Sequence, residues 1–429
     1  MAKIKAISFL GYNPRGYTQT TYVDTINNSR CTTPFFQEAL VEFYQPDILY
    51  VLLTKTAEIG QPQGESQPTW DTLQQLLQGK VDLKPIKNIP EKHTEADIWL
   101  LFEKITDCLE EGDHVIFDIT HGFRSLPVLA LIAVSYLRVV RNITIKGLIY
   151  GAFDPTKPGE TSIFDLLPIV SLLEWTTATD QFIKTGNGQQ LATLLKKAIP
   201  SGHELANIPE TRPIRKHLQK SAEATENVSL ALSLTRPIET MESATVLENI
   251  LNEARPSFDK RAKPFTLLVD KIIEEYGQFA LEKATNREMY SRNLWLQLKM
   301  IDWYLERDQI VQAVTLAREW LVSVLVIYFD EPMLDKKGRK HIENALNNGV
   351  EKRKSKPRHI TPGNYDEQFE NLPEAEQLTQ IWSKMTEIRN DIAHVGMNLN
   401  PSKAFDLKKR AVSMYPSLEE IAKQLLPSS

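Results

Sequence analysis

Short apolar runs of strand length alternate with stretches of helical periodicity over the first 165 residues, and this alternation narrows the possible folds more than any other feature of the chain. The strand-like runs are 4–10, 48–53, 115–119 and 143–152, and the segments 37–43, 69–77, 96–109 and 126–139 between them have helical length or spacing. Strands that each feed a helix predict an α/β fold: a Rossmann-like, doubly wound parallel sheet with right-handed crossovers and a ligand crevice at the carboxyl ends of the strands. A run at 162–169 is expected as an edge strand, with a turn over 154–159 before it. Past Leu172 the pattern is all-α, with breaks at 185–188, 200–202 and 211–213, the last read as an N-cap followed by an early proline. The stretches 294–306 and 309–329 are amphipathic or apolar throughout, and Trp295, Trp303, Trp320 and Trp382 in these helices read as core or dimer interface.

The strand at 115–119 is joined to the next helix by Asp118-Ile119-Thr120-His121-Gly122-Phe123-Arg124-Ser125-Leu126-Pro127. A strand end that feeds a helix N-terminus presents unpaired N–H groups and a positive dipole end, which favours phosphate. Thr120, the Gly122 backbone and Asn13 can donate hydrogen bonds to phosphates or base edges, Arg124 can add charge, and Gly11 and Gly122 allow close backbone approach. The plainer reading is that Thr120, His121 and Ser125 only cap the helix.

A second group lies near the other end: Arg389-Asn390-Asp391-Ile392-Ala393-His394, on a helix whose apolar positions Ile381, Met385, Ile388 and Ile392 recur at helical spacing, with Gly396 as its terminator. Residues five apart differ by about 140° around a helix. Arg389 and His394 therefore share a site only if the helix end unwinds or a second copy completes it.

The chain has 429 residues, 42% hydrophobic and 24% charged, which suits two or three globular domains. A net charge of −5 argues against a broadly basic nucleic-acid coat, so any RNA contact has to be local; the run 352–359 reads first as a mobile solvated loop, and it is also the obvious place for a phosphate backbone. Two cysteines, Cys31 and Cys108, are too few for a disulfide scaffold, and the histidines show no metal-ligand spacing, so neither metal nor cofactor is expected. No signal-peptide pattern opens the chain and no apolar run reaches about 18 residues, so a cytoplasmic protein without a membrane span is expected.

The Asp118 turn resembles the Asp-x-Thr-His-Gly signature of CRISPR-associated proteins with a CARF sensor domain, followed here by Phe-Arg-Ser-Leu-Pro in the same style. The opening from Ile7 through Gly11, Tyr12 and Asn13 and on to Tyr22 is similar to that family's first strand and ligand loop. Arg389 to His394 resembles the Arg-x4-His motif of HEPN ribonucleases, which in this family follow the CARF domain. The resemblance implies a CARF domain over 1–185, a helical linker over 186–260 and a HEPN domain over 261–429. It further implies ligand contacts from Gly11, Tyr12, Asn13, Asp118, Thr120, His121, Gly122, Phe123 and Arg124, and catalysis by Arg389, Asn390 and His394. The expected protein is a homodimeric, metal-independent endoribonuclease of type III CRISPR defence. Its allosteric activator is a cyclic oligoadenylate, with a four-membered ring suited to a two-fold site, and its substrate is single-stranded RNA. Two other classes stay open: a ligand-controlled regulator, for which no helix-turn-helix is evident, and a phosphodiesterase that cleaves its own cyclic oligoadenylate with Asp118, Thr120 and His121.

Overall fold

The computed structural model describes residues 3–24, 29–92, 94–121, 126–153, 159–397 and 399–427, and falls into two compact units, 1–174 and 175–429. The first unit holds strands β1 (Ile4–Leu10), β2 (Thr20–Asp24), β3 (Ser29–Thr33), β4 (Ile48–Thr54), β5 (Asp82–Ile89), β6 (His114–Asp118), β7 (Thr144–Phe153) and β8 (Glu160–Asp165). They form one sheet in the order β3-β2-β8-β7-β6-β1-β4-β5. Its helices are α1 (Phe36–Tyr44), α2 (Lys55–Ile59), α3 (Thr69–Leu77), α4 (Glu95–Asp107) and α5 (Leu126–Val140).

The expected α/β architecture is present, with a mixed sheet in place of a purely parallel one. β2–β3 and β7–β8 pair antiparallel, while β1–β4, β1–β6, β4–β5, β6–β7 and β2–β8 pair parallel. Two corrections to the sequence reading follow. Tyr22 belongs to β2 and not to the first strand's loop. The run expected as an edge strand is split, since β8 lies inside the sheet between β7 and β2 and residues from Leu167 onward are helical. β5, which carries Pro85, is an edge, where a strand tolerates the missing N–H.

Alternation along the strands sorts side chains onto two faces. Ile7, Phe9, Val115 and Phe117 pack with Ile105 of α4 and Leu137 of α5 on one face, and Ala6, Leu10, Ile116 and Leu49 pack with Phe36 and Leu40 of α1 and Leu73 of α3 on the other. Full burial of one such large apolar side chain contributes roughly 1.5–3 kcal/mol, so the sandwich holds the strand ends rigidly. In the sheet β1 is flanked by β4 on one side and by β6 on the other. The carboxyl ends of β1 and β6 thus meet where the strand order reverses, the position at which open α/β sheets bind ligands.

The boundary between the units falls within α6 (Leu167–Thr185). The second unit continues with α7 (Gln189–Lys197), α8 (Gly202–Asn207), α9 (Thr211–Ser233), α10 (Pro237–Arg261), α11 (Lys263–Thr266), α12 (Val269–Gly277), α13 (Tyr290–Glu306) and α14 (Ile310–Tyr328). It closes with α15 (Lys336–Lys352), α16 (Asp366–Glu370), α17 (Ala375–Ala393), α18 (Ala404–Val412) and α19 (Tyr415–Leu425). The stretch 186–260, expected as a linker, supplies Leu191, Leu218, Val228, Leu247 and Leu251 to the same core as Trp303, Trp320 and Trp382. Its helices are amphipathic and bury their apolar faces there, so it is body and not linker. Thr211 does not cap α9: it is the first helical residue, and its hydroxyl donates to the carbonyl of Ile208.

α14 corrects another expectation, because by length and composition it could cross a membrane. Trp320, Leu321, Val324 and Leu325 are buried in the core of this unit, as in the central helix of a bundle. Among the described residues, no group of three or more His, Cys, Asp or Glu side chains is placed to hold a metal ion.

Candidate ligand turn and candidate nuclease motif

The register that pairs Ile7 with Phe117 brings Ser8 beside Asp118, and period-two alternation turns both towards α1. Asp118 is fully buried at the end of β6. Ser8 Oγ donates to its Oδ2 at 2.5 Å, and the Thr120 amide donates to its Oδ1 at 2.8 Å. Gln37 of α1 donates from Nε2 to Ser8 Oγ at 3.0 Å and to the Phe9 carbonyl at 2.9 Å, so α1, β1 and β6 are tied through the Ser8 hydroxyl. Thr120 Oγ1 accepts from the Gly151 amide of β7 at 2.8 Å. A Cβ at Gly151 would lie 3.0 Å from Thr120 Cγ2, so glycine is what lets the turn close against β7.

The loop after β1 approaches the same place. Tyr17 Oη donates to the Gly11 carbonyl at 2.9 Å, and the Tyr17 ring meets the His121 ring edge-on with centroids 5.2 Å apart. Tyr12 Oη donates to the Gln61 carbonyl, and Asn13 Oδ1 accepts from the Arg15 amide, closing a turn that the Gly16 amide completes by donating to the Asn13 carbonyl. Gly11, Asp118, Thr120 and His121 are therefore gathered at the β1 and β6 ends. Tyr12 and Asn13 are engaged with their own loop, and Gly122, Phe123 and Arg124, with Ser125, lie outside the described residues.

Asp118 holds the turn from beneath, because both of its oxygens accept hydrogen bonds in a buried position. Ser8, Gln37, Tyr17 and Gly151 do comparable work and were not singled out from the sequence. The single hydroxyl in the apolar run of β1 was the available signal for Ser8. Replacing Ser8 with alanine leaves a buried carboxylate oxygen short of its donor and costs about 1–3 kcal/mol. Equilibrium unfolding of Ser8→Ala checks this, and a loss below a few tenths of a kcal/mol counts against the network.

Burial sets the charge states at the turn. It pushes the Asp118 carboxyl up from 3.8 to about 6, against the pull of the Ser8 and Thr120 hydrogen bonds. It holds His121 down from 6.5 to about 4, and the ring's Nε2 is buried with no hydrogen-bond partner among the described residues. The neutral imidazole thus faces the turn with an unspent polar atom. The contribution of Asp118 to stability is full below pH 3.8 and is lost as pH rises through about 6, whereas that of His121 is full above pH 6.5 and is lost as pH falls through about 4. The two slopes oppose one another in the window between. In His121→Gln only the Asp118 slope remains, so the variant should gain stability relative to wild type on acidification from about pH 6 to 4. Urea midpoints against pH measure this, and parallel profiles would contradict it.

Residues 5–155 match the family described as CRISPR system endoribonuclease Csx1, CARF domain. The first unit is a CARF domain. Residues 171–284 match the second domain of CRISPR-associated protein MJ1674, and this match spans the stretch that the sequence reading set aside as a linker. Two successive parts of the chain are thus similar to domains of CRISPR-associated proteins. The CRISPR-associated protein MJ1674 of Methanocaldococcus jannaschii is 28% identical over 186 residues, 42% of this chain, and the match spans about a quarter (26%) of that relative's length. Among solved structures, Enterococcus italicus Csm6 bound to cyclic hexa-2′-fluoro-hexa-dAMP is similar over 99% of this chain and 94% of that one, at 12% identity and a TM-score of 0.40. In the CARF domain the Asp118 turn and the loop after β1 occupy the carboxyl edge of the sheet.

In the second unit, α17 ends at Ala393, and His394 is its C-cap residue, with its amide donating to the Asn390 carbonyl at 2.9 Å. Arg389, Asn390 and His394 are all exposed, and Arg389 Nη1 donates to Asn390 Oδ1 at 3.3 Å. The expected terminator is confirmed in kind: Gly396 has φ +72° and its amide donates to the Asp391 carbonyl at 3.2 Å. The basic run at 352–359 is less free than its composition suggests. Lys352 and Arg353 pair with Glu370, and Lys354 pairs with Glu351.

Proposed function

We propose that this protein is an endoribonuclease of type III CRISPR defence, switched on when its CARF domain binds a cyclic oligoadenylate, and that it works in the cytoplasm as a homodimer. The observation that carries this reading is the presence in one chain of a CARF domain over residues 5–155 and of an exposed Arg389, Asn390 and His394 at the end of a helix. A second copy would bring the two Arg-x4-His ends together, which the angular separation of Arg389 and His394 calls for.

The chemistry follows from the side chains. A ribose 2′-hydroxyl attacks the neighbouring phosphorus, His394 handles a proton, Arg389 offsets charge on the phosphorane oxygens and Asn390 orients the phosphate or the arginine. The nucleophile comes from the substrate, so the step calls on no metal or cofactor. In the CARF domain, the neutral His121 ring, the Thr120 turn and the Gly11 backbone supply hydrogen bonding and close approach, and a four-membered ring suits a two-fold site. The binding role is favoured over ligand cleavage because Asp118 has both oxygens engaged and no exposed surface.

The test is the bond that breaks. Single-stranded RNA should yield 2′,3′-cyclic phosphate and 5′-hydroxyl ends, and a 2′-deoxy residue at the scissile position should block cleavage. Cleavage of the deoxy substrate would overturn the reading. RNA binding at the basic run should rest on Lys356 and Arg358 more than on the paired cations. Lys356→Ala with Arg358→Ala should therefore lower the slope of log affinity against log salt by roughly 0.7 for each phosphate that is no longer neutralised. An unchanged slope removes this loop from the RNA path.

A further inference from the structure

Asp391 lies inside the Arg-x4-His motif, and the ribonuclease chemistry gives it no part. Its Oδ2 accepts from the Ser402 amide at 2.9 Å, across eleven residues, and its carbonyl accepts from the Gly396 amide at 3.2 Å. The Val395 amide donates to the Ile392 carbonyl and the Met397 amide to the His394 carbonyl. The pair of bonds from Val395 and Gly396 is the Schellman arrangement, which normally seats glycine at the first residue past the cap. Here that residue is Val395, at φ +47°, a left-handed conformation that a β-branched side chain adopts only under constraint from its surroundings. Its side chain is 77% exposed, so packing within this chain does not hold it there. On either side of it, a Cβ on Gly396 would rest 3.6 Å from Pro401 Cβ, and the Asp391 carboxylate ties Ser402 to the end of α17.

We infer that Asp391 is the positioning residue of the nuclease motif: its carboxylate clamps Ser402 to α17 and thereby fixes the backbone of His394 at the cap. The inference rests on the ribonuclease reading for its consequence and on hydrogen bonding alone for the clamp. It acts through His394 and touches neither substrate nor the reacting atoms. An asparagine in its place keeps an acceptor for the Ser402 amide, whereas alanine does not.

The experiment compares wild type, His394→Ala, Asp391→Asn and Asp391→Ala in the full-length protein, with single-stranded RNA and cyclic tetra-adenylate. Misplacing a catalytic group by an ångström costs on the order of 10²-fold, so Asp391→Ala should lose roughly 10–100-fold in kcat while its KM for RNA stays within about twofold. Asp391→Asn should recover to within about threefold of wild type with an unaltered pH profile. Amide hydrogen exchange over 394–402, read without RNA, should quicken in Asp391→Ala and not in Asp391→Asn. Unchanged exchange in Asp391→Ala overturns the clamp, and wild-type kcat in that variant overturns its role in positioning. An Asp391→Asn protein as inactive as Asp391→Ala makes the carboxylate a proton-transfer group and also overturns it. If wild type itself leaves RNA intact, the ribonuclease reading fails and the positioning role fails with it, while the exchange result still decides whether the clamp exists.

Discussion

Replacing His394 with alanine should reduce RNA cleavage by ~10²–10⁴-fold, the usual cost of removing a proton-transfer group, and Arg389→Ala should fall in the same range by exposing the phosphorane charge. Both residues are exposed at the end of α17, so the variants should unfold at the wild-type denaturant midpoint. Their affinity for cyclic oligoadenylate should also be unchanged, since the ligand turn and the nuclease motif belong to different compact units. Steady-state cleavage, equilibrium binding and unfolding of the same preparations give the three readings together. Wild-type cleavage by His394→Ala removes this helix end from catalysis.

The second large effect is expected at Asp118. Alanine there strands two donors, Ser8 Oγ and the Thr120 amide, in a fully buried position. At about 1–3 kcal/mol for each stranded group, the CARF domain should lose on the order of 2–6 kcal/mol, a large part of an ordinary domain's stability. Asparagine keeps an acceptor for the Thr120 amide, and Ser8 still accepts from Gln37, so Asp118→Asn should be much milder. Hydrogen exchange in β1 and β6 under increasing urea follows this domain apart from the helical unit. Equal losses in the two variants would mean that the charge of Asp118, and not its accepting geometry, supports the turn. Because the carboxylate works from beneath, the alanine variant should also lose cyclic oligoadenylate binding, through collapse of the Thr120 turn.

The strands that sequence alone revealed are those richest in apolar residues. β1, β4, β6 and β7 are near-continuous apolar runs, and hydrophobic periodicity finds such runs. β2, β3 and β5 escaped because Thr-Thr-Tyr-Val-Asp, Ser-Arg-Cys-Thr-Thr and a strand interrupted by Pro85 carry little apolar signal, and their pairing partners supply what their own sequences lack. The same limit governed the site. Asp118, Thr120 and His121 stand together in the sequence and could be read as a unit. Ser8, Tyr17, Gln37 and Gly151 reach that unit from other elements, so only sheet register and the packing of α1 bring them into view. In the helical half, amphipathic helices were legible, but amphipathicity does not say which core a helix joins. The linker expected at 186–260 therefore proved to be part of the body.

The central claim is that a ligand at the CARF turn controls cleavage at the Arg389–His394 end. The most direct measurement is the rate of single-stranded RNA cleavage by the full-length wild-type protein in EDTA, alone and with cyclic tri-, tetra-, penta- and hexa-adenylate. The expected result is negligible cleavage without activator and strong, saturable stimulation by the four-membered ring. His121→Ala should shift the half-maximal concentration upward and recover in part at saturation, because occupancy is lost and the nuclease is not. Equal cleavage with and without every ring, or stimulation that His121→Ala leaves untouched at all concentrations, would contradict the account.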